Sequence, residues 1–325
     1  NEGNPGRTGT GSGSLGATAA SIPVAVYTSF AVGANLYAQS LAGATVITMN
    51  EYVLNETRAD YNLIADSRFG DPNHIVVVDA HLDAIYGNGM LDNASGSSTI
   101  LEIALKMKDT PTRNKLRFFW TGGEELGILG SFYYTENLSA AELSKIVFDI
   151  DADVTATPNY IIGIANPANS PDVASFPPNV AAASQLGTQY FIEYFNAHGM
   201  PYLDLSNNGT DSFAFALAGV PNTGILTGQD CCKAQDEVDL FGGYLGNYEG
   251  NIPSFDGGFV DRPYLWGDNL NNNDPNVLEF TSKAFAYVVF KIANDVSLNP
   301  NAKHPNHHDD DKVKKDVDKK HGRHE

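Results

Sequence analysis

Cysteine, cationic side chains and long apolar runs are all scarce in this 325-residue chain, and each scarcity excludes something. Only two cysteines occur, adjacent at Cys231 and Cys232, so no framework of disulfides can staple the fold. Neighbouring cysteines can close a strained ring, bond to other chains or remain thiols. No stretch reaches eighteen consecutive apolar residues, so no transmembrane helix is expected. Lys and Arg number 20 against 39 Asp and Glu, a formal charge of -19. The basic residues are concentrated at one end. Residues 299–325 hold seven of them and six acids, which leaves 13 basic against 33 acidic in the body. Such a surface repels phosphate backbones and anionic lipid, so no nucleic-acid partner is expected. The chain opens at Asn1 with neither an initiator Met nor a signal segment, as after processing. With the acidic balance, this predicts a secreted, extracellular protein.

What is present suffices for one large core, since 42% of residues are apolar. Residues 1–14 are glycine-rich, and 1–20 read as a flexible leader. Residues 21–48 read as strand, helix, strand. From residue 61 the pattern alternates. Strands are expected near 75–78, 116–120, 146–150, 202–205 and 224–227. Helices are expected near 97–108, 128–137, 180–198, 213–217 and 276–296. In the first of these, Ile100, Leu101, Ala104, Leu105 and Met107 form the apolar face. The alternation predicts an α/β fold with a mainly parallel sheet and helices on both faces. Residues 299–325 form a charged tail with five histidines, read as a solvated extension.

The chemistry-bearing residues sit where such a fold gathers ligands, at the carboxyl ends of strands. The run 75–78 leads into AHLDA, with His81 and Asp83, and then through a glycine-rich turn into DNASG, with Asp92. The run 116–120 leads into GGEELGILGS, with Glu124 and Glu125. A third, 146–150, leads toward Asp149, Asp151 and Asp153 in front of Pro158. Imidazole and carboxylates collected at strand ends are what a zinc site needs, and one further carboxylate can act as a base.

These motifs resemble the M28 family of zinc aminopeptidases, of the aminopeptidase S and aminopeptidase Y type. The family pattern AHxDS…DNxSG, GxEExGxxGS and NxDM…SPNY is matched here by AHLDA…DNASG, GGEELGILGS and DADVTATPNY, in the same order. The similarity runs from about residue 61 to 296. The resemblance implies that His81 binds the first zinc, with Asp83 orienting its ring. It implies that Asp92 bridges two metals, Glu124 is the general base and Glu125 binds the second zinc. Counting back from Pro158 gives Asp153 as the remaining ligand of the first zinc. It further implies an exopeptidase fold and a peptide substrate. Residues 21–56 resemble the closing part of a protease-associated domain, and 57–298 the peptidase domain.

One departure bears on activity. The family's last zinc ligand is a histidine, in a region matched here by FDGGFVDRPYLWGDNLNNND at 255–274. Tyr264 falls on a family tyrosine that steadies the tetrahedral intermediate, and Leu265 then stands at the histidine's position. The first zinc keeps three protein ligands, whereas the second keeps two carboxylates. The family's SDH reads Asp211-Ser212-Phe213 here. Two functions are compatible with this: a peptidase of reduced activity with one zinc, or an inactive peptidase-fold scaffold that self-associates. Relative to the family the domain lacks its opening elements, so an amino-terminal fragment of the same precursor, or a neighbouring copy, is expected to cover that side. Asn55, Asn93, Asn137 and Asn208 begin glycosylation sequons, though Asn93 lies inside the metal motif.

Overall fold

A computed structural model describes residues 26–50, 57–84, 88–207, 209–229, 232–249, 268 and 270–301. Seven strands form one sheet: β1 (Leu63–Asp66), β2 (Asp71–His81), β3 (Asn114–Thr121), β4 (Ile146–Ala152), β5 (Gly163–Ala165), β6 (Leu203–Leu205) and β7 (Asn222–Leu226). Their spatial order is β1-β3-β2-β4-β7-β5-β6. The central four are mutually parallel, and β6 is parallel to β5. β1 is antiparallel to β3, and β5 to β7. The helices are α1 (Phe30–Ala42), α2 (Ala94–Met107), α3 (Leu129–Asn137), α4 (Ala140–Leu143), α5 (Val180–Ala197), α6 (Ser212–Leu217), α7 (Gln235–Phe241) and α8 (Pro275–Asn294). The expected mainly parallel α/β sheet is therefore present. No described helix is long and apolar enough to cross a membrane.

The two-residue alternation of a strand sorts β2 between two layers. Val76, Val78 and Ala80 enter a core built with Ile100 and Ile103 of α2, Phe191 and Phe195 of α5, and Phe285, Val288 and Ile292 of α8. Ile75 and Val77 face the other way, against Phe119, Ile146, Phe215 and Val220. Each buried aromatic or branched side chain contributes about 1.5–3 kcal/mol. The long helix α8 starts where Asp274 accepts the N–H groups of Asn276 and Val277, with Pro275 at the first helical position. Its buried residues Val277, Thr281, Ala284, Phe285, Val288 and Ile292 recur at helical spacing.

The face expected for α2 needs correction. Ile100, Ile103 and Met107 are buried, while Leu101 and Leu105 are about half exposed, beside the likewise exposed Phe290 of α8. Of the strand–helix–strand reading of 21–48, the first strand lies largely outside the described residues and the second does not form. Only α1 forms within the described residues 26–50, and none of its side chains is buried. Among the described residues the outer strand β1 pairs with β3 alone, and Leu63 and Ile64 are each 48% exposed.

The strand order reverses at β2. From it the chain crosses to β3 on one side and later to β4 on the other. The crevice beyond the carboxyl ends of these three strands is the topological switch point, where α/β sheets bind ligands.

Candidate metal centre

His81 ends β2 inside that crevice, with 1% of its surface exposed. Its ring Nε2 lies 2.8 Å from Asp92 Oδ1, 3.3 Å from Asp153 Oδ1 and 4.0 Å from Glu124 Oε2. Its Nδ1 faces the main-chain carbonyl of Asp83 at 3.1 Å. The Asp83 carboxylate is further off, at 3.6 Å, and has other work. It accepts the backbone N–H of Glu124 at 3.0 Å and of Glu125 at 3.2 Å. Sequence reasoning expected the Asp83 side chain behind the imidazole. The main-chain oxygen holds the ring instead, and the carboxylate ties the turn after β3 to the end of β2.

Each carboxylate is placed by backbone bonding at an element end. Asp92 precedes α2, whose N-cap Asn93 accepts the N–H of Gly96 at 2.9 Å. Asn93 also accepts the N–H of Val154 and donates to the carbonyl of Ala152, tying α2 to the end of β4. That bonding leaves the Asn93 amide buried and engaged, as expected for a sequon without a glycan. A Cβ on Gly96 would lie 2.0 Å from the Ala152 carbonyl oxygen, so only glycine permits this approach. The Asp92–Asn93 peptide bond is cis. Gly123 turns β3 into Glu124 with φ +70°, and Glu124 O accepts the N–H of Gly127 and Ile128. Asp153 follows β4, its N–H bonded to the carbonyl of Ile225.

The structure thus brings His81, Asp92 and Asp153 together, and His81, Glu124 and Glu125 as well. In each group one ligand atom per residue lies within 4.8 Å of the others. Of the three competing aspartates, Asp153 is the one beside His81. Asp151 accepts the Thr210 hydroxyl, and the Asp149 side chain bonds that of Asp79. Asp92 Oδ1, Asp153 Oδ1 and Glu125 Oε1 are buried without a hydrogen-bond partner. Buried acceptors left without a donor around one imidazole nitrogen fit a cation, and the donor set of imidazole plus carboxylates fits zinc. Tyr264 and Leu265 lie outside the described residues.

The protein groups alone set an uneven electrostatic balance, one imidazole among five carboxylates. Burial pulls the His81 pKa down, but Asp153, Asp83 and Asp92 outweigh it and hold the pKa well above the usual value. Burial, with repulsion from Asp153, raises Asp92 to about 6 despite His81. Burial and Asp153 push Glu124 up to about 10, and burial and Asp92 push Glu125 to about 8. Burial acts to raise Asp83, but His81 and the Glu124 N–H prevail and keep it below the usual carboxylate range.

Sequence reasoning missed three features. Asp268 accepts the N–H of Leu91 at 2.6 Å and of Asp92 at 3.2 Å, fixing the loop that carries Asp92. Gln229 donates its side-chain amide to Asp92 Oδ2 at 2.6 Å. Neither carries a local signal, because both reach the site from distant segments. The third is a buried acidic layer under the centre: Asp79, Asp149, Asp151 and Asp211, none more than 2% exposed. Asp149 and Asp151 lie within β4. Asp211 accepts the hydroxyls of Thr121 and Ser131. Here the period-2 pattern of β2 and β4 was the available signal, since it puts Asp79 and Asp149 on the Val77 face.

Comparison with known proteins decides the family. The model of Peptidase family M28 matches residues 62–289. The chain belongs to peptidase family M28. Among curated M28-type relatives, a probable leucine aminopeptidase 2 of Aspergillus oryzae is 32% identical over 272 residues, 82% of this chain and 52% of that protein. Leucine aminopeptidase 2 of Trichophyton equinum is 31% identical over 268 residues, 80% of this chain and 50% of that protein. This M28 chain therefore spans about half the length of the curated relatives it matches. BSAP, a zinc aminopeptidase from Bacillus subtilis, shares the fold with a TM-score of 0.53 at 20% identity, over 75% of this chain and 51% of that one.

Proposed function

We propose that this chain is the catalytic part of a secreted zinc aminopeptidase that removes residues from peptide amino-termini, with turnover below that of two-metal relatives. The observation that carries the reading is the convergence of Asp92 Oδ1 and Asp153 Oδ1 on His81 Nε2, at 2.8 and 3.3 Å, with both oxygens otherwise unpartnered. These three residues would hold one zinc. When bound, zinc supplies Lewis acidity at the scissile carbonyl and lowers the pKa of water. Glu124 would take the proton of the attacking water and pass it to the leaving amine. A pKa near 10 is the wrong setting for a base at neutral pH, and a cation held by its neighbours would reverse that environment. Glu125, whose Oε1 is buried and unpartnered, would face the substrate's ammonium. Reduced turnover follows from Leu265 at the position of the family's last histidine. A secreted location rests on the acidic balance of the sequence.

The test is hydrolysis of aminoacyl anilides with and without a chelator. Slow hydrolysis is expected, abolished by chelation, restored by added zinc and lost in Asp153→Asn. Hydrolysis that survives both treatments would overturn the reading. Asp83 should matter through position alone. Asp83→Ala is expected to weaken zinc binding by about 10- to 100-fold, because the anchor of the Glu124–Glu125 turn is lost beside the His81 ring. Competition with a chelating dye measures it, and wild-type affinity in the variant would show that this anchor has no bearing on the zinc site.

A further inference from the structure

The two oxygens of Asp92 have different surroundings. Oδ1 lies against His81 Nε2 without a hydrogen bond, whereas Oδ2 accepts the Gln229 amide at 2.6 Å. A carboxylate that bridges two ions commonly gives one oxygen to each, so Gln229 occupies the place from which a second cation would draw on Asp92 Oδ2. The segment that carries Gln229 is held firmly. The N–H of Thr227 bonds the carbonyl of Val154 at 2.8 Å, and the carbonyl of Gly228 accepts the Thr157 hydroxyl at 2.6 Å. Gly228 has φ +94°, and a Cβ there would meet the Tyr248 ring at 2.7 Å. The backbone is thus fixed while the Gln229 side chain, exposed overall, reaches in to a fully buried acceptor.

We infer that Gln229 stands in for the second cation, its N–H satisfying Asp92 Oδ2, and so limits the centre to a single ion. This rests on the reading that His81, Asp92 and Asp153 hold zinc. A hydrogen bond to a charged acceptor shifts an equilibrium by roughly 10- to 100-fold, and an entering ion must displace it. Beyond Asp92, the second position has among the described residues Glu125, from the Glu124–Glu125 pair near His81, so little there is available to offset that loss.

The experiment titrates the full chain with Zn²⁺ against a chelating dye. It compares wild type, Gln229→Ala, Gln229→Glu and Asp153→Asn. The histidines of residues 304–324 are common to all four, so the differences carry the result. Gln229→Ala should bind one additional zinc, about 10- to 100-fold more tightly than any corresponding binding in wild type. Gln229→Glu, which removes the donor and adds an anionic ligand, should bind it more tightly still. Asp153→Asn should lose one zinc. If Asp153→Asn loses none, the reading of the centre fails and the inference falls with it. If Asp153→Asn loses one but neither Gln229 variant gains one, the centre stands and the role of Gln229 is refuted. Weaker metal binding in Gln229→Ala would likewise refute it, since the amide would then be acting as a ligand through its oxygen.

Discussion

Replacing Glu124 with glutamine is expected to lower kcat by about 10²- to 10⁴-fold, the usual contribution of a positioned base. Zinc affinity should stay within a few-fold of wild type. The split follows from position. Glu124 Oε2 is 4.0 Å from His81 Nε2, whereas Asp92 and Asp153 lie closer and form the tighter ligand group. The variant should also keep its fold. Glutamine conserves shape, and the turn is fixed by main-chain bonds from Glu124 and Glu125 to Asp83, which the substitution leaves in place. Without metal, Glu124 with a pKa of about 10 is already neutral at pH 7, so the metal-free Tm should barely move. Steady-state kinetics, zinc competition and a melt on one preparation check all three. A wild-type kcat in the variant would remove Glu124 from the proposed mechanism.

The second large effect concerns stability. Asp79 and Asp149 are fully buried, and their carboxyl groups hydrogen-bond each other while no hydroxyl, side-chain amide or cation among the described residues bonds their oxygens. Burial, followed by the charge of Asp149, holds Asp79 well above its usual pKa. Burial, followed by Asp151, does the same to Asp149. A folded-state pKa above the unfolded value means that the folded chain keeps a proton the unfolded chain has released. Stability is then fully present below about pH 4 and is lost as pH rises through the folded pKa. Each such group contributes a slope of about 1.4 kcal/mol per pH unit across that window. Melts in chelator, which excludes proton-linked metal binding, should show a lower Tm at pH 8 than at pH 5. Asp149→Asn, which cannot ionise, should flatten that dependence and gain roughly 1–3 kcal/mol at pH 8, or several degrees for a domain of this size. A Tm independent of pH, together with a less stable variant at pH 8, would contradict this picture of the layer.

Much of the fold was legible because period and punctuation agree. The run near 75–78 marks β2, whose first residues, Asp71 to His74, are polar and left no apolar signal. The helix expected at 180–198 matches α5, and the one at 276–296 matches α8 to within two residues at its end. β5 spans three residues and α7 exposes an acidic face, so neither carries a readable period. The flank after α1 was misread because β-branched residues such as Val46 and Ile47 favour strands only when a partner strand is present. At the site, His81, Asp92, Glu124, Glu125 and Asp153 could be read because they fall in short motifs, at or soon after apolar strand runs, that resemble the family's. Asp268 and Gln229 could not, since their bonds to the Asp92 region span 176 and 137 residues.

Anomalous diffraction at the zinc edge, on crystals grown with excess zinc, tests the central claim most directly. One peak is expected in the crevice, bonded to His81 Nε2, Asp92 Oδ1 and Asp153 at about 2.0–2.2 Å, with Gln229 still on Asp92 Oδ2. No peak there, or a pair of equally occupied peaks with one between Asp92 Oδ2 and Glu125, would contradict it.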